Sequence, residues 1–129
     1  FVKLSQGAYV MKDFGDNPQL ILMASGSEVS LIYSAAQRLF AEDIETRVVS
    51  FPSWELFEMQ DEAYKESVLP KKIQARLAVE AGATFGWERY AKSVIGIDHY
   101  GASAPAKVIF EKFGFTTENV VARAKELLS

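Results

Sequence analysis

The pattern of apolar and polar residues is clearest between residues 20 and 40. Residues 20–24 (LILMA) form an apolar run without a polar break, which is typical of a strand buried on both faces. After the turn of residues 25–28 (SGSE), apolar residues recur at helical spacing as far as Phe40. The pattern therefore predicts a buried strand, a tight turn and an amphipathic helix, which is the first half of a parallel βαβ unit.

Similar alternation of strand and helix continues along the chain. Strands are expected at 7–11, 46–51, 75–81 and 93–97, and helical segments at 53–60, 61–69, 85–90, 105–113 and 116–128. This order predicts a three-layer α/β/α sandwich around a mostly parallel five-stranded sheet. No crossover helix separates the first short strand from the second, so we expect it on an edge, where it is free to run antiparallel.

Composition narrows the class of protein. A chain of 129 residues fits a single domain, spanning 1–129, with a self-sufficient core. The net charge is −3 and no basic block occurs, so nucleic acid and membrane are not expected partners. There are no cysteines, which excludes disulfides and thiolate metal sites and fits a cytoplasmic protein. Because the chain begins at Phe1, we expect it to be an excised domain of a longer protein.

The turn after the first buried strand is a candidate anion site. Ligands of open α/β sheets bind at the carboxyl ends of strands, and Ser25, Gly26 and Ser27 precede a helix N-terminus there. However, Glu28 competes for the same positive helix end, and it also has capping-box spacing from Ser25. The turn has one glycine, without a dinucleotide or phosphate-loop fingerprint. Both readings stay open, and the residues favour a capped structural turn.

A second candidate lies in the loop after the last predicted strand. Asp98 and His99 suggest acid–base chemistry, and Ser103 would complete a Ser/His/Asp set. Adjacent residues leaving a strand point to opposite faces, and a triad within six residues would need a sharp bend. Ser103 is more typical of a helix N-cap. The residues therefore assign no catalytic group.

Two further groups of residues allow a functional and a structural reading. Trp54, Phe57 and Met59 could line an aromatic pocket, but this spacing is more typical of packing between a helix and the sheet. Glu80, Glu88 and Arg89 are expected to form ion pairs, either near an interface or, more commonly, on the surface.

Several of these stretches, taken in order, resemble the C-terminal domain of transketolase. Residues 22–30 (LMASGSEVS) resemble its strand–turn–helix motif, and residues 96–106 (GIDHYGASAPA) are the most similar segment. The resemblance runs from about residue 7 to 128. The remaining similar segments follow in the family's order: 47–52 (RVVSFP), 64–70 (YKESVLP), 79–81 (VEA) with Trp87, and 110–116 (FEKFGFT).

The resemblance implies the third domain of a three-domain subunit in a homodimer. In that family, thiamine diphosphate and a divalent metal, Mg or Ca, serve the transfer of a two-carbon ketol unit between sugar phosphates. Their ligands lie in the N-terminal and middle domains. The resemblance therefore implies no catalytic, cofactor-binding or metal-binding residue in this chain. It leaves Ser25–Ser27 as a candidate regulatory anion site, and suggests an interface loop with the residues Asp98, His99, Tyr100, Gly101 and Ser103.

Three alternatives remain open. One is the equivalent domain of a 2-oxo-acid dehydrogenase β subunit or of deoxyxylulose-phosphate synthase, acting as a docking module. The Gly-Ala-Ser-Ala-Pro loop and the Phe-Gly-Phe-Thr segment favour transketolase over these relatives. The others are an independent nucleotide- or phosphate-binding domain, which the missing fingerprint disfavours, and a module that serves only protein–protein interaction.

Overall fold

A computed structural model describes residues 6–26, 28–80, 86–96 and 115–129. These residues form a sheet with helices on both faces. The strands are β1 (Tyr9–Phe14), β2 (Leu20–Ala24), β3 (Thr46–Ser50), β4 (Arg76–Glu80) and β5 (Ser93–Gly96). The helices are α1 (Glu28–Ala41), α2 (Trp54–Glu58), α3 (Glu62–Val68) and α4 (Thr117–Leu128), with a 3-10 turn at Trp87–Arg89. The predicted helix at 105–113 lies outside the described residues.

The sheet has the strand order β1-β3-β2-β4-β5. The β2 strand is parallel to β3 and β4, β4 is parallel to β5, and β1 is antiparallel to β3 on the edge. The predicted three-layer sandwich with a mostly parallel sheet and an edge first strand is therefore confirmed.

The edge strand β1 is longer than its sequence suggested. The turn-forming residues from Asp13 onwards predicted an end at Met11, whereas the strand continues to Phe14. Asp13 and Phe14 pair with Arg47 and Thr46 of β3, beyond an irregularity between Val10 and Lys12. The Asp13 carboxylate also accepts two hydrogen bonds from the Arg47 guanidinium, at 2.7 and 3.0 Å. Pairing with a neighbouring strand thus overrides the local turn preference.

The residues of β2 alternate between two cores, which explains why the whole strand is apolar. Leu20, Leu22 and Ala24 face the core under α1 and α4, and Ile21 and Met23 face the core under α2 and α3. All five residues are buried. A central strand covered on both faces has no solvent side, so it carries no polar position.

Helix boundaries follow local capping chemistry. The Ser53 hydroxyl accepts from the Leu56 N–H at 3.2 Å and begins α2, and Thr116 accepts from the Asn119 N–H at 3.1 Å and begins α4. Both caps were expected from the sequence. The helical segment predicted at 85–90 is reduced to the 3-10 turn, because Gly86 has φ +96°, which is incompatible with a right-handed helix.

Candidate functional site

A cleft of about 360 Å³ opens at the carboxyl ends of the central strands. Ser25 follows β2, Phe51 follows β3, and Glu80 ends β4, so the parallel arrangement brings three strand ends to one edge of the sheet. The sequence predicted a ligand site at this edge. The described residues that line the cleft are Ser25, Phe51, Pro52, Ser53, Trp54, Glu55, Glu80 and Trp87.

The Glu80 carboxylate joins two walls of the cleft. Its Oε1 accepts a hydrogen bond from the Ser25 hydroxyl at 3.3 Å and another from the Trp87 indole N–H at 3.2 Å. The Ser25 contact spans 55 residues of sequence, so local pattern could not reveal it. Within the cleft, Glu80 acts as a hydrogen-bond acceptor that ties the β2 turn to the 3-10 turn.

Aromatic rings form the floor of the cleft. The Trp54 and Trp87 rings meet edge to face with centroids 5.1 Å apart, and the Phe51 ring lies 5.4 Å from that of Trp87. Phe57 is 2% exposed and packs on Phe51, which confirms the packing interpretation for that residue. Met59, by contrast, is 78% exposed, because it caps the short helix α2 at its outer end. Met59 therefore belongs neither to a pocket nor to the core.

The serine–glycine turn differs in detail from a capping box. Gly26 has φ +61°, outside the helical region, and α1 begins at Glu28. Ser25 is therefore too far from the helix to be its N-cap, and the capping-box prediction for Ser25 with Glu28 is wrong. Ser27, the third residue of the candidate anion site, lies outside the described residues.

The electrostatic setting of this turn is acidic. The Ser25 hydroxyl is bonded to the Glu80 carboxylate, and Glu28 occupies the first turn of α1. Negative charges at these positions oppose a second anion and offset the positive helix end. Anion binding by Ser25, Gly26 and Ser27 stays a prediction.

The predicted interface loop, with Asp98, His99, Tyr100, Gly101 and Ser103, lies outside the described residues. In the ranges that the structure covers, no group of three or more His, Cys, Asp or Glu residues could hold a metal ion. No helix among the described residues is long and apolar enough to cross a membrane.

A second polar network surrounds Glu58, the last residue of α2. The Tyr90 hydroxyl donates to Glu58 Oε2 at 2.6 Å, and Lys65 Nζ lies 3.5 Å from Glu58 Oε1. The hydrogen bond from Tyr90 lowers the pKa of Glu58, and Lys65 adds to this effect. Burial, together with the hydrogen bond to Glu58, raises the pKa of Tyr90 to about 12. The pair therefore consists of an ionised acceptor and a neutral donor at neutral pH.

Sequence reasoning missed two arginines that organise backbone carbonyls. Arg76 donates to the carbonyls of Leu69, Pro70, Ile73 and Tyr90, at 2.9–3.3 Å. Its burial lowers its pKa. The available signal was the proline after α3, since a helix that stops before proline leaves carbonyls without helical partners. Arg47 similarly donates to the carbonyls of Ser67 and Val68 near the end of α3.

Comparison with known proteins places this chain in a family. The family model of the transketolase-like TK C-terminal domain matches residues 7–116. The chain belongs to the transketolase C-terminal domain family. A transketolase from a Nostoc species is 52% identical over 128 residues, which cover 97% of this chain and 19% of that protein. The chain thus spans about a fifth of the length of the curated transketolases that it matches.

Solved transketolases carry the same fold. The structure from Leishmania mexicana matches with a TM-score of 0.91 and 44% identity, over 98% of this chain and 18% of that one. A transketolase from Pichia stipitis in complex with sedoheptulose-7-phosphate matches with a TM-score of 0.87 and 41% identity, over 98% of this chain and 18% of that one. These matches confirm the resemblance and do not favour the dehydrogenase or synthase alternatives.

Proposed function

We propose that this chain is the non-catalytic third domain of a transketolase, which helps to assemble the subunit and its homodimer. The observation that carries the proposal is the 52% identity to a transketolase across 97% of this chain but only 19% of that protein. The N-terminal and middle domains are the proposed partners within the polypeptide. We place the complete protein in the cytoplasm, with no role in binding nucleic acid or membrane.

The proposed reaction of the complete protein is transfer of a two-carbon ketol unit between sugar phosphates. A Pichia stipitis relative was solved with sedoheptulose-7-phosphate, which supports sugar phosphates as the substrate class. Thiamine diphosphate with a divalent metal, Mg or Ca, would supply the chemistry in the preceding domains. This chain would contribute no ligand to either group.

The cleft supports a bracing role for this domain. The Ser25 hydroxyl and the Trp87 indole N–H donate hydrogen bonds to Glu80, and the Ser53 hydroxyl accepts one from the Leu56 N–H at the start of α2. Nucleophilic catalysis by a serine needs a base that removes its proton and is itself oriented by a third group. The Ser25–Glu80 pair ties two strand ends together instead. We assign the loop of Asp98, His99, Tyr100, Gly101 and Ser103 to contact with the rest of the enzyme, and retain Ser25–Ser27 as a candidate regulatory anion site.

Deletion of this domain from the full-length protein tests the proposal. We expect the intact protein to transfer a ketol unit from xylulose-5-phosphate in the presence of thiamine diphosphate and Mg²⁺. We expect the truncated protein, which lacks the 129 residues of this domain, to lose dimerisation, measured by analytical ultracentrifugation. It should lose activity as well. An active, dimeric truncated protein would contradict the role in assembly, and an inactive intact protein would contradict the reaction.

A further inference from the structure

The segment that leads into β1 is held by two helices. The carbonyl of Gly7 accepts a hydrogen bond from the backbone N–H of Ser53, the N-cap of α2, at 2.9 Å. The Tyr64 hydroxyl, in α3, donates to the carbonyl of Ala8 at 2.7 Å. The Ala8 side chain is fully buried in the core beneath these helices. The chain is therefore fixed at two successive residues before β1 begins.

Gly7 lies so close to α2 that no side chain fits. It has φ +85°, and a Cβ at this position would overlap the Phe57 nitrogen and the Ser53 carbonyl oxygen, and would come within 2.9 Å of the Leu56 carbonyl carbon. These are backbone atoms of α2 and of its N-cap, which cannot rotate away as a flexible side chain could. The close approach is therefore encoded by glycine at this position.

The hydrogen bond from Tyr64 to Ala8 is present throughout the neutral pH range. Burial raises the pKa of Tyr64, so its hydroxyl keeps the proton that it donates to Ala8. The Tyr64 ring also packs on Phe57, with centroids 6.4 Å apart, which orients the hydroxyl towards the incoming chain. One helix thus contacts the segment through its backbone, and the next helix contacts it through a side chain.

We propose that Gly7, Ala8, Ser53 and Tyr64 form a clamp that sets the orientation of this domain relative to the polypeptide that precedes it. The inference rests on the proposed function, in which this chain is the C-terminal domain of a longer protein. The chain matches a C-terminal domain family and covers 19% of a curated relative, so most of such a protein would precede Gly7.

The clamp changes the mechanical behaviour expected at a domain boundary. Domains joined by a flexible segment move relative to one another unless an interface holds them. Here Gly7 and Ala8 are hydrogen-bonded to the N-cap of α2 and to α3 before the chain joins the sheet, so the preceding domain is attached to a fixed point of this domain. The partner of the clamp is the preceding domain of the same polypeptide.

Distance measurements in the full-length protein test the clamp. One spin label is attached at Glu118→Cys, in α4, where the glutamate side chain is 76% exposed, and a second is attached in the preceding domain. Double electron–electron resonance spectroscopy then gives the distribution of distances between the two spin labels. We expect a narrow distribution for the parent protein and at least a twofold broader one for Tyr64→Phe and for Gly7→Ala.

Two matched variants control for general loosening. Tyr33→Phe removes a hydroxyl from another partly buried tyrosine, whose ring packs on Phe14. Gly15→Ala changes another glycine with positive φ, where the atoms nearest to a new Cβ belong to the flexible Glu45 side chain instead of to a helix backbone. Both controls should keep the narrow distribution. Thermal unfolding is recorded for every variant, and if Gly7→Ala fails to fold, Tyr64→Phe alone decides the test.

Three results for the width of the distance distribution would overturn the clamp. These are a broad distribution in the parent protein, an unchanged width in Tyr64→Phe, and equal broadening in the controls. A change in dimer dissociation without a change in the distance distribution would place the role of these residues between subunits, and would also overturn it. Absence of ketol transfer in the parent protein contradicts the proposed reaction and leaves the distance result standing, so the two failures are distinguishable.

Discussion

At the scale of single residues, Glu80 links two parts of the cleft through its hydrogen bonds. It ends β4, an interior strand of the sheet, and its carboxylate accepts hydrogen bonds from Ser25 and Trp87 across the cleft. The sequence marked Glu80 as a residue for ion pairing, because nothing local shows that a serine 55 positions earlier reaches it. Contacts of this kind depend on the order of strands in the sheet, which the sequence pattern leaves undetermined.

Replacing Glu80 by alanine should destabilise the domain by about 1–3 kcal/mol, because two donors in the cleft lose their acceptor. The Glu80→Gln variant keeps an acceptor oxygen and should lose less. Urea unfolding followed by tryptophan fluorescence measures both. Glu55→Ala, at another acidic residue of the cleft wall, is the control and should change the free energy of unfolding by less than about 0.5 kcal/mol. Equal effects at Glu80 and Glu55 would show that the two hydrogen bonds are unimportant.

At the scale of elements, hydrophobic periodicity identified the buried β2–α1 unit and the two-sided sheet. The pattern also located β1, but the predicted end of the strand was three residues too early. The pairing of Asp13 and Phe14 with β3 is a long-range effect that the local pattern does not show. It also overestimated the helix at 85–90, where the glycine conformation limits the chain to a 3-10 turn. Elements with strong periodicity were predictable, and elements shaped by one neighbour or one glycine were not.

The hydrogen bond from Tyr90, which follows the 3-10 turn, to Glu58 of α2 should make the free energy of unfolding depend on pH. The pKa of Tyr90 is raised in the folded state to about 12, so its contribution is complete below pH 10 and is lost as the pH rises towards 12. The pKa of Glu58 is lowered, so its contribution is present above its ordinary value of 4.5 and is lost below it.

The Tyr90→Phe variant isolates this dependence. The difference in unfolding free energy between the parent and Tyr90→Phe should be largest between pH 5 and pH 10, and should shrink on either side of that window. Chemical denaturation across the pH range measures the difference, with Tyr33→Phe as the matched control. A difference that is constant from pH 4 to pH 12 would show that the Tyr90–Glu58 hydrogen bond does not contribute to stability.

At the scale of the whole molecule, the chain is a transketolase C-terminal domain. It spans about a fifth of the length of the transketolases that it matches. The fold class was predictable because strand–helix alternation determines a layered architecture. The family was predictable from ordered segments such as 22–30 and 96–106. The cleft itself was only partly predictable: the sequence pointed to the edge of the sheet at which the cleft lies, but two carboxylates, Glu55 and Glu80, line it next to the turn that was the candidate anion site.

The central claim is that this domain supports an enzyme without holding its cofactor. Isothermal titration calorimetry of thiamine diphosphate with Mg²⁺ tests it most directly, with the 129-residue chain and the full-length protein measured side by side. We predict saturable binding to the full-length protein and no binding tighter than about 1 mM to the chain alone. Tight, stoichiometric binding of thiamine diphosphate to the isolated chain would contradict the account.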